Sequence, residues 1–61
     1  MNGEQLKELR LKNNMTQKDV AKKLGYFLDN GEPNRSQIAR FENDHAPINK
    51  RVELAIRYIF R

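Results

Sequence analysis

Met15-Thr16-Gln17-Lys18-Asp19-Val20-Ala21-Lys22-Lys23-Leu24-Gly25 begins a stretch that closes with Asn34-Arg35-Ser36-Gln37-Ile38-Ala39-Arg40-Phe41-Glu42-Asn43-Asp44. It reads as two short helices separated by a turn. Thr16 is a good N-cap, and Asp19 three residues later makes a variant of the capping box. Val20, Ala21 and Leu24 give that helix an apolar stripe, while Lys18, Lys22 and Lys23 stay on the solvated side. Asn34 caps the next helix, and its inward residues Ile38 and Phe41 are three apart. Its outward residues Arg35, Ser36, Gln37 and Arg40 are hydrogen-bonding types gathered near the N-terminal end.

Two more helical segments flank this pair. The first runs from about Asn2 to Asn13, with Asn2 as cap, Leu6 and Leu9 facing inward, and Asn13-Asn14 as the turn that ends it. After a loop through His45-Ala46-Pro47, the last helix covers about Asn49 to Phe60. Val52, Ala55, Ile56 and Ile59 form its inner face, and Leu54, Tyr58 and Phe60 lie at its flanks. That is more apolar surface than one side of a helix in so small a domain needs to bury. No alternating β-branched run marks a strand. The fold class is all-α, a compact bundle of four or five short helices in one domain spanning residues 1–61.

The end of the second helix stays open. Gly25 suits a left-handed cap, but Phe27 and Leu28 continue the period from Val20 and Leu24 and allow the helix to run to about Asp29. Asn30-Gly31-Glu32-Pro33 is the firmer stop.

A chain of 61 residues without cysteine can form neither a disulfide framework nor a thiolate metal site. The N-terminus carries Glu4, Lys7, Glu8 and Arg10 where a secretory leader has an apolar run, and no apolar stretch approaches the ~20 residues of a membrane span. A soluble protein of the bacterial cytoplasm is expected. His45 is alone, with no second His or Cys to share a metal. No nucleophilic triad, Gly-rich phosphate loop or acidic metal site occurs. The expectation is therefore a protein that is not an enzyme, with no cofactor, metal or small-molecule substrate.

Charge points elsewhere. Twelve Lys/Arg against eight Asp/Glu give a net charge of +4, a basic balance expected of a nucleic-acid binder. The N-terminal part of a helix laid in the major groove is the part that meets base edges. Arg35, Ser36, Gln37 and Arg40 stand at that end. The competing reading is a solvated polar face.

With these residues in place, the chain resembles the Cro/XRE family of helix-turn-helix DNA-binding domains from phage and mobile-element regulators. The matching residues are Leu9-Arg10, Met15 through Gly25, Arg35 through Asn43, and Pro47 before a last helix containing Glu53-Leu54-Ala55. The resemblance implies a lambda-repressor-like helix-turn-helix. It places Arg35, Ser36 and Arg40 at base-reading positions with Gln37 beside them, and Thr16, Gln17, Lys18, Asn34 and Asn43 at phosphate-contacting ones. It also makes Arg10 and Glu42 a structural ion pair joining the first helix to the end of the third. A solvated helix-start residue is the alternative for Gln17, and a helix C-terminal turn residue is the alternative for Asn43.

Two departures stand out. The family's turn between helices two and three is very tight, whereas here Tyr26 through Pro33 intervene between Gly25 and Asn34. The insert lengthens helix two, bulges outward as a loop, or approaches DNA or a partner. Tyr26, Phe27 and Leu28 are expected to form satellite core, and Asp29 and Glu32 argue against phosphate contact by the loop tip. The second departure is at the C-terminus, where family members often carry a fifth helix used in dimerisation and this sequence stops at Arg61. A homodimer through Leu54, Tyr58, Ile59 and Phe60 is expected instead, bound to an inverted repeat of double-stranded DNA. Function divides between a repressor autoregulating its operon (Cro-like or anti-CRISPR-associated) and an antitoxin-type module that neutralises a partner protein.

Overall fold

A computed structural model describes all residues 1–61. Four helices form: α1 Gly3–Lys12, α2 Gln17–Leu24, α3 Arg35–Glu42 and α4 Lys50–Ile59. Each begins at a side chain that satisfies the open N–H groups of its first turn. Asn2 Oδ1 accepts from the Gln5 N–H while Gln5 Oε1 accepts from the Asn2 N–H, both at 2.9 Å. Thr16 and Asp19 make the same reciprocal box at α2, at 3.1 and 2.9 Å. Asn34 and Asn49 accept from the N–H groups of Gln37 and Val52.

Burial is concentrated in Leu6, Val20, Ala21, Ile38, Phe41 and Ile56, drawn from all four helices. α3 packs against both α1 and α2, and α4 closes on α2. Ala55, expected on the inner face of α4, is exposed. The inward stripe of α4 runs instead through Val52, Ile56, Ile59 and Phe60, at the i, i+4, i+7, i+8 spacing that follows one side of a helix.

Helix two ends at Gly25 and does not continue to Asp29. Gly25 adopts φ +83°, and the Tyr26 N–H donates to the Ala21 carbonyl at 2.9 Å, a helix-closing bond across a left-handed residue. The insert then bulges outward as a small hairpin, the second of the three outcomes open from sequence. Phe27 pairs antiparallel with Pro33, the Leu28 N–H donates to Glu32 O, and the Asn34 N–H donates to Tyr26 O, each bond 2.8 Å. Pro33, which has no N–H, stands where the pairing asks for none. Gly31 at φ +87° and an Asn30 side chain accepting from the Glu32 N–H shape the tip. Tyr26 does join the core edge, its ring 5.8 Å from that of Phe41. Phe27 and Leu28 do not form satellite core: they are half-exposed on the hairpin, because the left-handed turn at Gly25 takes them off the helical stripe.

Two residues outside any motif decide how α1 meets α3. A Cβ on Gly3 would lie 2.2 Å from the Phe41 carbonyl oxygen and 2.4 Å from that of Glu42. Only a residue without a side chain permits that approach. Asp44, at φ +57°, turns the chain out of α3 and accepts from the Gly3 N–H through Oδ1 at 2.9 Å. It thus places a negative charge at the positive end of α1.

Candidate nucleic-acid interface

At about 100° per residue, Ser36, Ala39, Arg40 and Asn43 fall opposite the Ile38–Phe41 stripe of α3. Arg35 and Gln37 fall on its two flanks. The burial follows this wheel: Arg35, Ser36, Arg40 and Asn43 are exposed, while Gln37, expected to face outward, is partly buried. Gln37 lies one turn before Phe41 and so leans toward the core edge.

The end of α3 is locked to α1 and α2. Arg10 Nε and Nη2 donate to the two carboxylate oxygens of Glu42 at 2.6 and 3.1 Å, and Arg10 Nη1 donates to the Met15 carbonyl at 3.1 Å. The side chains are 12% and 4% exposed. A forked guanidinium–carboxylate pair of this kind is charge-assisted and geometrically specific. Gln17 Nε2 adds a third donor to Glu42 Oε1, at 3.3 Å. One carboxylate therefore fixes α1, the turn after it, the start of α2 and the end of α3 relative to one another.

Thr16, Gln17 and Lys18 at the start of α2 share an open groove with Arg35 of α3 and Arg10 of α1. The first turn of α2 contributes the positive end of its dipole there, and the groove is basic with few apolar side chains. Asn34 is partly buried with its side-chain oxygen committed to capping α3. Around Asn43 the backbone is less available than the sequence implies. The N–H groups of Asn43, Asp44, His45 and Ala46 all donate to carbonyls of Ala39, Phe41 and Arg40. Only the Asn43 side chain remains outward, and the Asp44 carboxylate is engaged at Gly3. No group of three or more His, Cys, Asp or Glu side chains is arranged to hold a metal, and no helix is long and apolar enough to cross a membrane.

Two carboxylates have their pKa held below the ordinary range. Asp19 is lowered by the Thr16 N–H it accepts, then by the Thr16 hydroxyl and by Lys22 and Lys23. Glu53 is lowered by hydrogen bonding to the Met1 ammonium and to Arg57. The Gly3–Asp44 hydrogen bond and the Met1–Glu53 ion pair are not legible in the sequence. They join residues at least 41 apart in the chain, and no local pattern signals them.

Residues 6–32 match the Helix-turn-helix family model, a span reaching from Leu6 of α1 through α2 to Glu32 in the hairpin. No match to the chain exists among curated proteins or solved structures. The matched part, α1, α2 and the hairpin, is thus similar to helix-turn-helix DNA-binding domains of the Cro/XRE type, and α3 packs against both matched helices.

Proposed function

We propose that the protein is a transcription repressor that binds an inverted-repeat operator as a homodimer and regulates its own operon, the 61 residues acting as one DNA-binding domain. One observation carries the reading. α3 turns Arg35, Ser36 and Arg40 to solvent along its length while Ile38 and Phe41 pack in the core and the Arg10–Glu42 pair holds its end. Groups held in place before binding lose little freedom on contact, so their hydrogen bonds go into affinity and discrimination. Arginines suit guanine O6 and N7, and Ser36 suits several base edges. Gln37 reaches a base from its flank. Thr16, Gln17, Lys18, Asn34 and Asn43 contact phosphate, which fixes register without reading sequence.

The pairing surface is the outward side of α4. Leu54 and Tyr58 are 57% and 66% exposed, one helical turn apart, with the Arg61 guanidinium over the Tyr58 ring at 4.7 Å. Ile59 and Phe60 support that surface from the core edge. One copy measures 29 × 23 × 18 Å, a size that suits two recognition helices about 34 Å apart, one turn of duplex. A dimer also doubles a half-site too short to be selective alone.

Titration of a labelled random duplex across a salt series tests the class. The affinity is expected to fall steeply with salt, by about 0.9 log units per log unit of salt for each phosphate neutralised. Salt-independent binding would remove the electrostatic argument and favour a protein partner.

A further inference from the structure

The hairpin between α2 and α3 does more than connect them. Leu28 and Glu32 line one groove with Lys18 at the start of α2 and with Arg35 and Ser36 at the start of α3. The insert therefore stands beside the end of α3 assigned to base reading, and Leu28 presents an apolar side chain there, 47% exposed. Phe27 is equally uncovered but does not line that groove.

We infer that Leu28 is a specificity-determining residue: the hairpin seats it on a thymine C5-methyl next to the base pairs met by Arg35 and Ser36, lengthening each half-site. This rests on the DNA-binding reading given above. Three features of the groove select that ligand. The hairpin is stiff, with Leu28 N–H bonded to Glu32 O and Gly31 N–H bonded to Leu28 O, so placing Leu28 against a base orders no loop. Glu32 and Asp29 disfavour phosphate against the hairpin itself, so Lys18 and Asn34 on the helix side of the groove take the backbone and Leu28 on the hairpin side is left to a base edge. Among the base-edge groups of the major groove, the thymine methyl is the apolar one.

The test uses the full chain and the duplex it enriches from a random pool, with each thymine replaced singly by deoxyuridine. Burying a methyl against Leu28 contributes about 0.8 kcal/mol, so wild-type affinity should fall roughly fourfold at one position per half-site. Leu28→Ala should bind thymine and uracil equally there and keep the wild-type response elsewhere. Leu28 is exposed and its hairpin bonds come from the backbone, so the variant should keep the parent's thermal midpoint, checked by circular dichroism. Two results overturn the inference: no methyl dependence in the wild type, or the same dependence in Leu28→Ala. If an enriched site depends on Arg35 yet ignores methyls, this inference alone falls. If no duplex is enriched, the DNA-binding reading falls with it.

Discussion

Gly3→Ala adds one methyl group and should destabilise the protein, although the same change at an ordinary helix position stabilises it. The new Cβ would sit 2.2 Å from the Phe41 carbonyl oxygen and 2.4 Å from that of Glu42, both backbone atoms at the end of α3. Neither can rotate away, so α1 must lift by about 1 Å to reach ordinary van der Waals separation. Overpacking of this kind costs about 1–3 kcal/mol. Lifting α1 also weakens the bond from the Gly3 N–H to Asp44 Oδ1, for about another 1 kcal/mol. Against this stands about 0.4–1 kcal/mol from a less flexible unfolded chain. The net is a loss of about 1–3.5 kcal/mol, and for a domain this small each kcal/mol lowers Tm by about 4–8 °C. Thermal and urea unfolding followed by circular dichroism measure it, with Glu4→Ala on the exposed side of α1 as the control. A Gly3→Ala variant as stable as the parent, or more so, would show that α1 and α3 do not approach as closely as described.

Three other outcomes follow from the same geometry. Arg10→Ala or Glu42→Ala leaves one charge of a nearly buried pair without its partner, and each should cost about 3–5 kcal/mol in urea unfolding, whereas the double variant should cost much less than the sum. Asp19 and Glu53 have folded-state pKa values below their unfolded ones, so each contributes stability above its unfolded pKa and loses it as pH falls through the lowered folded value. Stability against pH should therefore drop on the acid side, and Asp19→Asn should flatten part of that drop. If the outward side of α4 is the proposed pairing surface, Leu54→Glu combined with Tyr58→Glu should sediment as a folded monomer at concentrations where the parent pairs, with helix content by circular dichroism retained, because both side chains are exposed in a single copy.

Local chemistry made most of the fold legible. Asn2, Thr16, Asn34 and Asn49 each stand at a helix start, since capping is decided within four residues. The Ile38–Phe41 stripe is equally local. At Gly25 two local rules competed. Apolar period favoured a longer helix and glycine favoured a stop, and the stop prevailed because the hairpin satisfies the insert's backbone groups without helix. The signal for that hairpin was present in Asn30-Gly31, a turn pair with apolar residues before it. The close contact at Gly3 and the reach of Asp44 from α3 to α1 were illegible, because both depend on how two distant helices meet. In the interface, the polar face of α3 was readable by type and spacing. That Gln37 tucks toward the core, and that the N–H groups after Asn43 are already bonded within α3, required the three-dimensional arrangement.

The central claim is that the outward face of α3 reads base edges while the start of α2 holds the backbone. Selection of bound sequences from a random duplex pool, run in parallel with the wild type, Arg40→Ala and Gln17→Ala, tests it most directly. The wild type should return an inverted repeat with half-sites about one helical turn apart. Arg40→Ala should lose preference at one base pair per half-site, worth about 1–3 kcal/mol there. Gln17→Ala should return the same motif with uniformly weaker binding. No enriched motif from the wild type, or an unaltered motif from Arg40→Ala, would contradict the claim.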